Sequence, residues 1–317
     1  MTGTSAGIRA GAYWLPPKTA TLEKLARAGK LESPKERLRD FGFHTVHLAG
    51  RASAYRLAEE AVARLLRRAR IGPDEIDVLL YTSALPDRAR PLRAMADPVA
   101  QFRYPATQLQ YRFGMTRANV IAIAQAGCAS FLSAARVARD MITAEPAIRR
   151  ILCVSSDVLP PGARREVLYN VISDGACAAM VERDSPINRI VAYAQVTKGY
   201  YWDPRNKGTE IIAAYLPTAR FVIDEALERA RLRLTDIRLI LPHNVNRRSW
   251  DILLELLGAR KHQFFGGNIG LRGHTIAADN IINLQDAVRR RLVKRGDYLL
   301  LFTFGFGAHW ACMILQH

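Results

Sequence analysis

No window of the 317 residues approaches the roughly 18–20 uninterrupted apolar positions that a membrane span needs. The N-terminus also lacks a basic segment followed by an apolar stretch and a cleavage site. The expectation is a cytoplasmic protein with no membrane partner. Cysteine is scarce: Cys128, Cys153, Cys177 and Cys312 form no CxxC pair, which argues against a disulfide framework or a zinc knuckle. HExxH spacing and two-His-plus-carboxylate sets are missing too, so no metal is expected. Low-complexity tracts are absent, and 49% hydrophobic with 24% charged residues is the composition of a folded chain. At about 150 residues per domain, the length suits two domains or one large duplicated unit.

Basic residues are plentiful by contrast, giving a net charge of +17. Such an excess raises nucleic acid or an acidic protein as a partner. Thirty-eight of the 46 basic residues are Arg, spread along the chain without a long basic run or a nucleic-acid-binding motif. The reading is therefore no nucleic acid, with an acidic carrier protein or a phosphorylated cofactor as the better match for this surface.

Two stretches 161 positions apart are alike: AEEAVARLLRRARIGPDEIDVLLYTS over 58–83 and ARFVIDEALERARLRLTDIRLILPHN over 219–244. Each carries an amphipathic helix ending in Arg-Ala-Arg, a short turn, and an apolar run of strand length. AGCASFLSAARVARDMI from 126 and RGHTIAADNIINLQDAVRRRL from 272 form a second pair, each placing Gly before a polar or reactive residue at the start of a helix. DGACAAMVE from 174 and GFGAHWACMIL from 305 form a third. Strands expected over 76–82, 151–155, 237–242, 298–303 and 310–315 alternate with helices, so the chain reads as two related α/β halves, with the junction in 185–207.

Cys128 follows Gly127 at the start of an apolar helix, where backbone N–H groups and the helix dipole favour a thiolate. A lone Cys there is equally a packing residue. His243 leaves an apolar run after Pro242, at a strand's C-terminal edge, where α/β active sites collect. His274 starts the second-half helix that corresponds to the Cys128 helix. If the halves pack about a pseudo-twofold axis, Cys128 meets both imidazoles. The other five histidines, His44, His47, His262, His309 and His317, have no clear partners. Gly305, Phe306 and Gly307 sit in a Gly-punctuated turn suited to presenting N–H groups to an oxyanion. Phe102, Tyr104, Tyr111 and Phe113 read as core packing before they read as an acyl tunnel or a dimer contact.

Together, Gly127-Cys128, SDGACAAMV from 173, PHNVN from 242, GHTIAADNI from 273 and FGFGAHW from 304 resemble the thiolase-like condensing enzymes, most closely the β-ketoacyl-acyl carrier protein synthase III group. The resemblance implies an α/β chain in a five-layer αβαβα fold of two duplicated halves, divided here as 1–185 and 186–317, and usually a homodimer. It makes Cys128 the nucleophile and His243 the first catalytic His, with Asn246 the Asn of the His-x-x-Asn motif behind them. Residues 304–307 match the oxyanion loop. Where this group usually has Asn, the sequence has His274, giving a Cys-His-His set. Arg248, beside Arg247, matches the position that docks a carrier protein or its phosphopantetheine. The 31–51 region lacks the Trp and the TGI-R-type pattern used near the coenzyme A adenine, and 191–214 is short.

The expected function is acyl transfer of the ketosynthase III type. Cys128 takes an acyl group from acyl-CoA or a phosphopantetheinyl carrier protein and passes it to a malonyl-type thioester by decarboxylative condensation, in polyketide-like biosynthesis. O- or N-acyl transfer to a small-molecule alcohol or amine is the alternative, and a non-catalytic subunit of a condensing heterodimer is the second. No bound cofactor is expected.

Overall fold

The computed structural model describes residues 4–85 and 99–317. Its main strands are β1 (Ala6–Trp14), β2 (Val78–Ser83), β3 (Asn119–Ala124), β4 (Arg150–Asp157), β5 (Gly175–Arg183), β6 (Arg189–Thr197), β7 (Ile237–Leu241), β8 (Tyr298–Gly305) and β9 (His309–Gln316). They lie in the order β7-β8-β9-β6-β1-β5-β4-β2-β3. β1 and β6 meet through one register pair, Gly7↔Arg189, so a five-stranded and a four-stranded sheet touch at that point.

Side-chain alternation sorts these strands into layers. Val78 and Leu80 of β2 and Leu299 and Leu301 of β8 face inward, onto a shared core with Phe131 and Ala135 of α2 (Ser130–Ala144) and Ile281 and Leu284 of α5 (Asp279–Arg289). Leu79 and Tyr81 face the other way, onto Leu57 and Val62 of α1 (Ala54–Ala69). Leu300 and Phe302 likewise pack on Val222 of α3 (Gly208–Ala230) and Trp250 of α4 (Arg247–Leu257). Helix, sheet, paired helices, sheet and helix make five αβαβα layers, and strands covered on both faces explain the near-continuous apolar runs.

The duplication extends to backbone detail. α1 ends on Arg70 at φ 54°, ψ 42°, and α3 on Arg231 at φ 55°, ψ 42°. A 3₁₀ turn follows each helix, Pro73–Glu75 or Leu234–Asp236. The carboxylate closing each turn accepts from the backbone N–H three residues earlier, Gly72 to Glu75 and Arg233 to Asp236, both at 2.8 Å. β2 and β7 then begin within two residues of the repeat's register.

Three expectations need correction. The stretch 185–207 is not a junction loop, because RIVAYAQVT within it forms β6, paired along its length with β9. Phe102, Tyr104 and Tyr111 are exposed rather than core, lying on or just before the helix Pro105–Phe113 that leads to edge strand β3, and Phe113 alone packs partly onto the α1 cluster. None of the four lines the main cavity. His274 precedes its helix instead of starting it: α5 begins at Asp279, after a 3₁₀ turn over Ile276–Ala278.

Phe131 is fully buried in the central layer while Tyr111 is 89% exposed. Phe131→Ala should therefore cost about 3–5 kcal/mol in denaturant unfolding and Tyr111→Ala less than about 0.5 kcal/mol.

Candidate active site

Cys128 sits in a 3₁₀ turn, Gly127–Ala129, that runs into α2. The matching turn before α5 packs against it across the central layer, so the repeat brings the two helix starts together. His274 is fastened to the first half by backbone bonds: its N–H donates to the Val171 carbonyl at 2.9 Å, and its own carbonyl accepts from Ser173 at 2.9 Å. With the backbone held there, the imidazole Nε2 lies 3.3 Å from the Cys128 sulfur.

The other ring nitrogen explains the orientation. His274 Nδ1 lies 2.5 Å from Asp279 Oδ2. The Asp279 carboxylate also accepts from the Asn244 backbone N–H at 2.6 Å, the Asn244 amide at 3.2 Å, the Thr275 N–H at 2.7 Å and the Thr275 hydroxyl. Surrounded by donors, an acceptor-only carboxylate requires a proton on Nδ1, which fixes the ring with Nε2 facing the Cys128 sulfur. Burial alone would lower the His274 pKa. The charges of Asp279 and Cys128 and the hydrogen bonds to both outweigh it and carry the pKa up to about 10.

His243 is different in kind. Its N–H donates to Phe302 at 3.1 Å and its carbonyl accepts from the Trp250 indole at 3.0 Å, so the turn after β7 is fixed. Both ring nitrogens are buried without a hydrogen-bond partner among the described residues. Burial, reinforced by His274 with ring centroids 6.0 Å apart, holds its pKa well below the usual histidine value despite the Phe302 bond, so it is neutral at pH 7.

Residues 305–307 interlock with the Cys128 turn backbone to backbone. A β-carbon on Gly305 would lie 2.3 Å from the Ala126 carbonyl oxygen and 2.7 Å from the Cys128 nitrogen, and one on Gly127, at φ +52°, would lie 2.7 Å from the Phe306 nitrogen. Only glycine permits that approach. A cavity of about 400 Å³ opens over the sulfur, walled by Leu85, Leu159, Ile211, Phe304 and Phe306 and reaching His243 and His274. Asp157 shapes one side by accepting from the N–H groups of Ala84 and Leu85 at 2.8 and 3.0 Å.

Cys128, His243, His274 and Phe306 therefore converge on one cavity, with Gly305 directly behind Cys128. Gly307 holds φ +87°, and a β-carbon there would press on the His309 ring. Asn246 also lines the cavity, but its side-chain oxygen caps α4, accepting from Ser249 N–H and hydroxyl at 2.9 Å. Arg247 is engaged with Asp251 at 2.8 Å and lies over the Phe264 ring, whereas Arg248 is exposed with no ion pair among the described residues. Three of the histidines expected to lack partners have them: His47 Nδ1 is 2.8 Å from the Pro16 carbonyl, His309 Nδ1 is 2.8 Å from the Thr197 hydroxyl and His317 Nδ1 is 2.7 Å from Asn188 Oδ1. Asp279 is the residue that sequence reasoning missed. The available signal was its place in DNIINLQD, where Asp279, Asn280, Asn283 and Asp286 repeat at helical spacing within an otherwise apolar segment.

A family model described as 3-oxoacyl-[acyl-carrier-protein (ACP)] synthase III matches residues 124–199, and its C-terminal counterpart matches 227–317, together more than half the chain. The chain belongs to this family of thiolase-like condensing enzymes. The β-ketoacyl-[acyl-carrier-protein] synthase III of Aquifex aeolicus (strain VF5) is 26% identical over 273 residues, covering 82% of this chain and 83% of that protein. The crystal structure of the 3-oxoacyl-[acyl-carrier-protein] synthase III from Aquifex aeolicus VF5 superposes with a TM-score of 0.84 at 23% identity, over 98% of this chain and 100% of that one. ChlB3, described as an acyltransferase, has a TM-score of 0.85 at 20% identity, over 98% and 97%.

Asp279→Asn places an amide against Nδ1. Its carbonyl must still accept from Asn244 and Thr275, so its NH₂ faces the ring and drives the proton to Nε2. Alkylation of Cys128 by iodoacetamide at pH 7 should slow by at least about a hundredfold, toward the roughly 10⁴ lost when a triad carboxylate becomes an amide. Stability carries a second signature. A His whose folded pKa is raised to about 10 contributes stability that is complete below the unfolded value of 6.5 and is lost as pH rises toward 10. The melting temperature of the wild type should fall more between pH 6.5 and 10 than that of Asp279→Asn.

Proposed function

We propose that the protein is an acyltransferase of the ketosynthase III type that carries its acyl group on Cys128. The observation behind this reading is the 3.3 Å contact between the Cys128 sulfur and the Asp279-anchored His274 at the floor of an apolar cavity. His274, its pKa raised to about 10, keeps the proton on Nε2 while the Cys128 sulfur attacks the thioester carbonyl of an acyl-CoA or acyl-carrier-protein donor. Backbone N–H groups of Cys128 and of the 305–307 loop receive the oxyanion, and His274 returns the proton to the departing thiol.

In the second half-reaction, neutral His243 donates from Nε2 to the thioester carbonyl of a malonyl-type acceptor, with His274, reprotonated from solvent, as second donor. The carboxylate leaves as carbon dioxide and its electron pair forms the enolate. The enolate carbon attacks the acyl carbonyl, and the carbon–sulfur bond to Cys128 breaks to regenerate the thiolate beside the His274 imidazolium. One feature favours a second outcome. Once it has given its proton to the departing thiol, His274, with Nδ1 held by Asp279, presents a basic Nε2, the arrangement that deprotonates an alcohol or amine acceptor.

Arg248, exposed and unpaired, is the better candidate of the two arginines for docking an acidic carrier protein or its phosphate. Edge strand β3, with Ile121 exposed, is the face proposed for a homodimer. The division between halves is placed at 185/186, in the turn joining β5 to β6, and the pathway proposed is polyketide-like.

Intact-protein mass spectrometry with a panel of acyl-CoA and acyl-carrier thioesters tests the proposal. An acyl mass gain on the wild type and none on Cys128→Ala is expected. Carbon dioxide release in a malonyl chase assigns condensation, while ester or amide product without it assigns acyl transfer to oxygen or nitrogen. Absence of any adduct across the panel would make the chain a silent partner subunit. His243→Ala should acylate normally but slow turnover by about a hundredfold.

A further inference from the structure

Tyr215 lies on α3 and lines the same cavity as Cys128. Its ring packs edge-on to Phe304 at 5.6 Å between centroids and tilts against His243 at 6.4 Å. Burial raises the phenol's pKa, and the Cys128 charge adds to that. The other residues that α3 supplies to the wall, Ile211, Ile212 and Leu216, are pure hydrocarbon. Two polar side chains of the lining are already used. Asn246 caps α4, and Asn170 accepts from the Asn246 N–H at 2.8 Å. The Tyr215 hydroxyl forms no hydrogen bond with any described residue, although one side of its ring is closed by the catalytic cluster.

An alkyl chain that displaces water from this half-buried hydroxyl leaves it unpaired, which costs binding energy. An oxygen substituent on the chain replaces the lost bond. We infer that Tyr215 is a specificity-determining residue whose hydroxyl binds an oxygen substituent on the substrate chain, so that the enzyme selects hydroxy- or keto-bearing acyl groups over plain alkyl ones. This rests on the reading of the cavity as the acyl-transfer site. The oxygen belongs either to the acyl group loaded on Cys128 or to the acceptor arriving beside His243.

Calorimetric binding of non-hydrolysable pantetheine amides tests the inference without requiring Cys128 to react. The probes are the butyryl, β-hydroxybutyryl and acetoacetyl amides, measured on the wild type, Cys128→Ala and Tyr215→Phe. In the wild type and in Cys128→Ala the oxygenated amides should bind about tenfold tighter than butyryl, equivalent to ~1.4 kcal/mol. Tyr215→Phe should bind butyryl within about twofold of the wild type, lose the preference, and melt no lower. Repeating the series on enzyme preloaded at Cys128 locates the oxygen: a preference only in the free enzyme places it on the donor, and one only in the loaded enzyme places it on the acceptor. Equal binding of all three amides by the wild type overturns the inference, as does a preference that survives Tyr215→Phe, or a loss of butyryl binding and of melting temperature together in that variant. Preference in Cys128→Ala with no acyl transfer by the wild type would instead overturn the proposed catalytic step and leave Tyr215's role standing.

Discussion

The Asp279 carboxylate is the constraint on which the rest of the site depends. It receives the N–H and side-chain amide of Asn244, immediately after His243, and the N–H and hydroxyl of Thr275, immediately after His274, together with the His274 ring proton. One side chain at the start of α5 thus ties together two turns that arrive from different parts of the second half. Five hydrogen bonds to one buried carboxylate are costly to assemble and costlier to break in part, because any donor left alone would be buried and unpaired. The same helix continues the pattern. Asn280 donates to the Leu241 and Phe302 carbonyls, Asn283 to the Pro242 carbonyl, and Asp286 accepts from Tyr13, Asn268 and Arg272. The central layer is therefore apolar along one flank and a polar brace along another, and the brace keeps the end of β7 and its His243 turn in place.

Duplication supplies the other half of the geometry. Because both halves start their central helix with a 3₁₀ turn, packing those helices side by side sets turn against turn. The first half contributes a sulfur from within its turn and the second an imidazole two residues before the matching turn. The 305–307 loop follows from the same economy of contact. It is the hairpin between β8 and β9, and it reaches the Cys128 turn only because Gly305 and Gly127 have no side chains to keep the backbones apart.

Much of this was legible before any coordinates. The repeat of 58–83 in 219–244 anticipated two halves, and the strands fell within a few residues of their expected limits. Residues whose neighbours in sequence define their surroundings, such as Cys128 after Gly127 or His243 after Pro242, were found. Asp279 was not, since its partners at 244 and 274–275 are brought together only by folding, and a carboxylate at a helix start has an ordinary reading as an N-terminal charge. The segment 185–207 misled for a related reason: its Asp, Pro and Gly residues flank β6 on both sides, and their turn character outweighed the alternating RIVAYAQVT between them. Tyr104 and Tyr111 looked like core because aromatic residues usually are, whereas helix Pro105–Phe113 buries chiefly Ala106 and Leu109 and turns its tyrosine outward.

The two imidazoles illustrate how one cavity can separate acid from base. Both are buried and only about 6.0 Å apart by ring centroid, yet their pKa values are driven in opposite directions. Desolvation acts on each alike. The difference is that His274 has a carboxylate on one side and a sulfur on the other, while His243 has neither and feels His274's charge as a repulsion. Pairs of titratable groups pushed apart in this way mark distinct proton-transfer roles. Replacing an amide with an imidazole at position 274 is consequently more than a change of hydrogen-bond donor. Without Asp279 the second imidazole would be another desolvated, neutral ring like His243; with it, the site gains a group able both to accept the thiol proton and to hold it through the attack.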